Sequence, residues 1–163
     1  MKDSSYEARV LGGRIGIFVA TMTGLAELCA QEVRDVIAAS GQTADLKLMD
    51  GLGAEAIDPY DLLVIVSSTY GHGDIPDNGQ AFFRALEGKE SLEGKRFAVF
   101  GLGDRTYADT FCHAGEKWDS LLAGKGAARL IALQIHDASS GTLAEDAARS
   151  WAEGWVSQLA EAA

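Results

Sequence analysis

The chain has 163 residues, 47% of them apolar and 23% charged, with a formal net charge of −10. That length and balance fit one soluble domain with a single substantial core. The acidity argues against a nucleic-acid backbone as ligand, which needs a basic face, and suits docking onto a basic protein surface.

Residues 1–13 are polar and without period and are expected to form a loose arm, leaving 14–163 as a single domain. Met1-Lys2-Asp3-Ser4-Ser5-Tyr6-Glu7 has no apolar signal core, so a cytoplasmic location is expected. No apolar run approaches the roughly 20 residues needed to span a bilayer. Arg14–Ala20 is short, apolar and β-branched and predicts a buried strand. The stretch Thr21-Met22-Thr23-Gly24 follows, and Leu25–Ser40 predicts a helix whose buried face carries Leu25, Leu28, Cys29, Val33, Val36 and Ile37. Gly41 ends it.

Ala44–Met49 alternates and predicts an edge strand. Asp50–Tyr60 is a link with room for a short helix at most. Asp61–Ser67 is a continuous apolar run, as in a central parallel strand covered on both faces. A long polar loop, Ser68–Asn78, leads to a helix over Gly79–Leu86 carrying Phe82, Phe83 and Leu86. The fourth strand is Lys95–Phe100, opening into the loop Gly101-Leu102-Gly103-Asp104-Arg105-Thr106-Tyr107. A helix over Cys112–Leu122 follows, then an uninterrupted fifth strand, Ala128–Gln134, the loop His136–Gly141 and a last helix, Thr142–Leu159, with Leu143, Ala147, Trp151, Trp155 and Leu159 on one face. Alternating strands and helices predict an α/β doubly wound, five-stranded parallel sheet with helices on both faces.

In such a sheet, ligands bind beyond the carboxyl ends of the strands, where the strand order switches. The loops after strands one, three and four all leave carboxyl ends, and all are polar and glycine-bearing. The first joins a strand to a helix start, where unpaired N–H groups and the positive end of the helix dipole favour a phosphate. Thr21 and Thr23 add hydroxyls, and Gly24 permits close approach. No lysine follows in the P-loop pattern, and G-x-G-x-x-G is absent, so a mononucleotide fits better than a nucleoside triphosphate or a dinucleotide. Tyr70 and Tyr107, one in each of the other two loops, can clamp a flat ring, each face contributing about 1–3 kcal/mol by analogy with stacked bases. Taken singly, these features have plainer readings. Thr21 and Thr23 cap a helix, Asn78 caps the next one, and His72, Asp74, Asp77, Asp104 and Asp109 are surface residues. His113 and His136 are structural, and Trp151 and Trp155 belong to the core. The two cysteines, Cys29 and Cys112, read as buried thiols, and the three histidines lack metal-ligand spacing.

Together the loops are specific. Thr21-Met22-Thr23-Gly24-Leu25-Ala26 resembles the flavodoxin fingerprint T-x-T-G-x-[TA]. Ser68-Thr69-Tyr70-Gly71-His72-Gly73-Asp74-Ile75-Pro76-Asp77-Asn78 resembles the second loop of the FMN domains of sulfite reductase and cytochrome reductases and of MioC-type short flavodoxins. Gly101–Tyr107 with Phe111-Cys112 is similar to the third loop of the same group. The resemblance covers residues 14–160. It implies a sheet of order 2-1-3-4-5 and FMN as cofactor. It places the phosphate on Thr21, Met22, Thr23, Gly24, Leu25 and Ala26. It places the flavin ring among Ser68, Thr69, Tyr70, Gly71, His72 and Gly73 on one side and Gly101, Leu102, Gly103, Asp104, Tyr107, Phe111 and Cys112 on the other. Asn78 would contact the cofactor or brace its loop, and the Gly71 carbonyl is a candidate acceptor for the flavin N5–H. The implied function is a short-chain electron carrier, not a turnover enzyme, shuttling single electrons through the FMN semiquinone/hydroquinone couple. A basic flavin reductase would be the donor and an acceptor protein the recipient, with the carrier itself monomeric. An FMN-dependent NAD(P)H:quinone reductase and a non-redox binding module are the competing readings.

Overall fold

The computed structural model describes residues 14–21, 23–69, 73–103 and 113–162. The continuous apolar runs divide their side chains between two faces, as a pleated strand covered on both sides must. In β1 (Ile15–Ala20), Ile15, Ile17 and Val19 enter one core, whereas Phe18 and Ala20 enter another. β3 (Leu62–Ser67) sends Leu62, Val64 and Val66 to the first and Leu63 and Ile65 to the second. β4 (Arg96–Gly103) divides in the same way, with Ala98, Phe100 and Leu102 opposite Phe97 and Val99.

Among the described residues, four helices close these two cores. On the first face lie α1 (Leu25–Ala39), through Ala26, Cys29, Ala30, Val33 and Ile37, and α4 (Ala144–Ala162), through Ala148, Trp151, Ala152 and Trp155. On the second lie α2 (Asp77–Glu87), through Phe82 and Leu86, and α3 (His113–Gly124), through Ala114, Trp118 and Leu122. The link after β2 (Ala44–Leu48) holds the short helix expected there, a 3₁₀ turn over Ala54–Ile57. Among the described residues, no helix is long and apolar enough to cross a membrane.

The strands pair in parallel in the order β2-β1-β3-β4-β5, as predicted. The fifth position departs from prediction. In place of an uninterrupted Ala128–Gln134, two short strands, β5 (Ala128–Arg129) and β6 (Gln134–Asp137), both pair with β4. Arg129 lies opposite Phe97 and Gln134 opposite Phe100. Five residue steps on the edge therefore match three on β4, and the surplus bows out at Leu130–Leu133. Leu130 and Ile131 lean on the first core and Leu133 on the second, which explains why this segment is apolar without being a strand.

Helix faces were also misplaced in part. Leu25, Leu28 and Leu143 are exposed, Leu143 by 63%. In α1 the contact with the sheet is made by the stripe Ala26, Cys29, Ala30, Val33 and Ile37, whose small alanines let the helix lie close and turn the leucines outward. In α4 the buried stripe begins at Ala144.

Candidate functional site

The pairing register brings the ends of β1 and β3 level, with β4 continuing past them to Gly103. Ala20 of β1 lies opposite Ser67 of β3, and Ser67 lies opposite Gly101 of β4. The loops after β1 and β3 therefore leave the same edge side by side. β1 sits at the switch in strand order, with β2 on one flank and β3 on the other, which is where ligands bind in sheets of this kind.

The first loop is tied at both ends. The Thr21 N–H donates to Asn78 Oδ1 at 2.9 Å, and Thr21 Oγ1 accepts the Gly24 N–H at 2.9 Å. Asn78 Nδ2 also faces the Val19 carbonyl oxygen at 3.4 Å. Asn78 thus braces the loop from the first turn of α2. It does not cap that helix, whose N-cap is Pro76. Gly24 is the N-cap of α1, with φ 92° and no side-chain cap. This left-handed backbone suits glycine, and a Cβ there would have nothing within 4 Å. The first hydrogen bond of the helix runs from the Leu28 N–H to the Gly24 carbonyl at 3.1 Å. The N–H groups of Leu25, Ala26 and Glu27 come before it and have no acceptor within the helix. Ala26 turns its methyl fully into the core and Leu25 points out, so both offer the loop backbone alone.

At the end of β3, Ser67 is fully buried. Its hydroxyl donates to the Ser68 carbonyl at 3.0 Å and accepts the Trp118 Nε1–H at 3.1 Å. The Ser68 N–H donates to the Ala20 carbonyl at 2.9 Å, which links the second loop to the first. Thr69 Oγ1 is buried without a hydrogen-bond partner. Such atoms are uncommon in native proteins and call for a ligand or water. Gly73 has φ 91°, and a Cβ on it would stand 2.7 Å from His113 Nδ1.

The third predicted loop begins later than expected. Gly101, Leu102 and Gly103 belong to β4, because pairing with β6 carries the strand three residues further. Leu102 is buried in the core, and Gly101 backs onto Gly115 of α3, where an added Cβ would lie 3.2 Å from the Gly101 Cα. Of the predicted positions, these two support the fold at the edge of the site. Met22, Tyr70, Gly71, His72, Asp104, Tyr107, Phe111 and Cys112 lie outside the described residues.

The sequence reading missed Ser67 and Trp118. Ser67 is the polar end of an apolar run, the one signal that could have marked it, and Trp118 reads as ordinary core. His136, read as structural in a loop, is buried in β6. Cys29 is buried as expected, and burial, with Glu145 and Glu32 nearby, pushes its thiol up to about 12.

At the end of β1, then, a helix start with amides that have no acceptor within the helix stands beside the hydroxyl-bearing residues Thr21 and Thr23. No lysine or arginine stands in 21–27. This donor set suits a phosphate monoester held by neutral groups. The family model described as Flavodoxin matches residues 17–151. The chain is 36% identical over 152 residues to Flavodoxin YqcA of Escherichia coli (strain K12), covering 89% of this chain and 97% of that protein. It is 33% identical over 151 residues to Protein MioC of the same organism, with the same coverage. Among solved structures, a flavodoxin of Streptococcus pneumoniae TIGR4 superposes with a TM-score of 0.80 at 28% identity, covering 93% of this chain and all of that one.

Proposed function

The chain belongs to the flavodoxin family, whose members bind FMN, and on that premise we propose that it is a carrier of single electrons between proteins. The observation that supports this most is the uncapped start of α1 behind Gly24, level with the end of β3. Thr21, Thr23 and Gly24, with the amides of Leu25 and Ala26, would hold the phosphate. Ser68, Thr69, Tyr70, Gly71 and Gly73 would line one side of the flavin ring, and Gly103, Asp104 and Tyr107 the other. The unpartnered Thr69 hydroxyl is a group that such a ligand would satisfy. FMN supplies the redox chemistry, and the protein sets its energies.

The residues then have separate tasks. Asn78 holds the Thr21 amide in place, and Gly24 supplies the turn that lets the helix amides converge. With no cation in 21–27 to offset the phosphate charge, placing negative charge on the ring nearby would be disfavoured. A net charge of −10 fits a basic reductase as donor and a separate acceptor protein. We place the protein in the cytoplasm as a monomer.

The test is the visible spectrum of the purified protein with added FMN, followed by potentiometric titration. An electron carrier takes up one equivalent and shows two separated one-electron steps. Each tenfold bias between them corresponds to about 59 mV. Failure to bind FMN, or reduction in one two-electron step, overturns the proposal. Rapid reduction by NADPH alone would mark a quinone reductase instead.

A further inference from the structure

Helix α3 begins at His113, directly after the third loop, and lies along the second. His113 stands against Gly73, Lys117 Nζ is 3.8 Å from Asp74 Oδ1, and Trp118 Nε1 donates to Ser67 Oγ at 3.1 Å. The outermost of these contacts is an exposed ion pair worth little. The innermost is different, because both partners are fully buried.

Ser67 has one hydroxyl proton, and it is committed to the Ser68 carbonyl at 3.0 Å. The indole N–H fills a lone pair of the same oxygen and fixes the direction in which that proton points. The Ser68 peptide is then held on both sides, by Ser67 at its carbonyl and by Ala20 at the preceding N–H. Core packing alone would not require the nitrogen. Trp118 meets Phe83 edge-on at 4.9 Å and lies 6.2 Å from Phe82, contacts that any large ring could make.

We infer that Trp118 is a positioning residue for the flavin ring, acting through Ser67 to set the Ser68 carbonyl and the loop beyond it. This rests on the FMN-carrier reading and adds a mechanical consequence. The loops proposed to flank the ring are not independent, because the helix leaving one of them fixes the start of the other. A shift of α3 would reach the ring through Ser67 and the Ser68 carbonyl.

The experiment compares wild type with Trp118→Phe, which keeps a buried ring and deletes the N–H, and with Ser67→Ala, which removes the acceptor. FMN affinity, the two midpoint potentials and the urea midpoint of the apoprotein are measured on each. The expected result is FMN binding weakened about tenfold in both variants, the scale of one buried hydrogen bond, with altered spacing of the midpoint potentials at full saturation. A purely structural role would lower the urea midpoint and leave the potentials of the saturated protein unchanged, which overturns the inference. A second readout needs no variant. The indole ¹H–¹⁵N resonance of Trp118 should shift on FMN titration, while those of Trp151 and Trp155, across the sheet in the other core, should stay in place. A stationary Trp118 resonance in a protein that binds FMN overturns the inference alone. A wild-type protein that takes up no FMN overturns the electron-carrier reading and this inference with it.

Discussion

Asn78 accepts the Thr21 N–H at 2.9 Å across 57 residues of sequence, joining the first turn of α2 to the end of β1. Removing it leaves a half-buried amide without its acceptor. Asn78→Ala should weaken FMN binding about tenfold, as the loss of one such bond implies. Asn78→Asp keeps the acceptor but sets a negative charge beside the proposed phosphate. Its deficit should shrink as salt is added, whereas that of the alanine variant should not. Quenching of FMN fluorescence on titration measures both.

Gly24 and Gly41 share φ 92°, and a Cβ on either would meet nothing within 4 Å. Alanine at either position is therefore a test of backbone strain without a clash. Each should lower stability by about 1–2 kcal/mol in urea unfolding. Only Gly24→Ala should also weaken FMN binding, because Gly41 lies beyond the opposite end of α1.

Gly79 is a packing requirement. A Cβ there would stand 2.9 Å from the Ala20 Cβ, 3.0 Å from Ile75 Cγ2 and 3.1 Å from Met49 Sδ. Gly79→Ala should destabilise the protein by about 1–3 kcal/mol. Because it pushes against Ala20, the residue before the first loop, it should weaken FMN binding as well, measured on protein still folded at 15 °C.

The strand order and the positions of the loops were legible because they rest on local signals. Continuous apolar runs such as Asp61–Ser67 have one interpretation in an alternating α/β chain, and the Thr21–Ala26 pattern lies within a single turn. What escaped depended on partners distant in sequence. Ser67 gained its role through Trp118, and the extension of β4 through Gly103 required β6, whereas the brace expected of Asn78 was found, on Val19 and Thr21. Leu28 lay near the expected face of α1, but the small residues beside it took the contact instead, and Leu143 falls just before the first residue of α4. Helical periodicity does not resolve a rotation of that size.

Cys29 gives a pH prediction. Its thiol is pushed from 9.0 up to about 12, chiefly by burial, with Glu145 and Glu32 adding to it. The folded chain therefore retains a proton that the unfolded chain releases above pH 9. Stability from this group is intact below pH 9 and falls as pH rises toward 12, by up to about 1.4 kcal/mol per unit. The difference in urea midpoint between wild type and Cys29→Ala, followed from pH 8 to pH 11, should narrow accordingly. In a Cys112→Ser background, Cys29 should react with Ellman's reagent no faster than the protein unfolds.

The outer margin of the sheet beyond β4 is broken at Leu130–Leu133 into segments of two and four residues. An intact margin of seven residues would offer a neighbouring molecule a row of free amides and carbonyls on which to grow a seam. The interruption shortens that template below useful length. Side-by-side growth of the sheet onto another copy of the chain is thereby disfavoured.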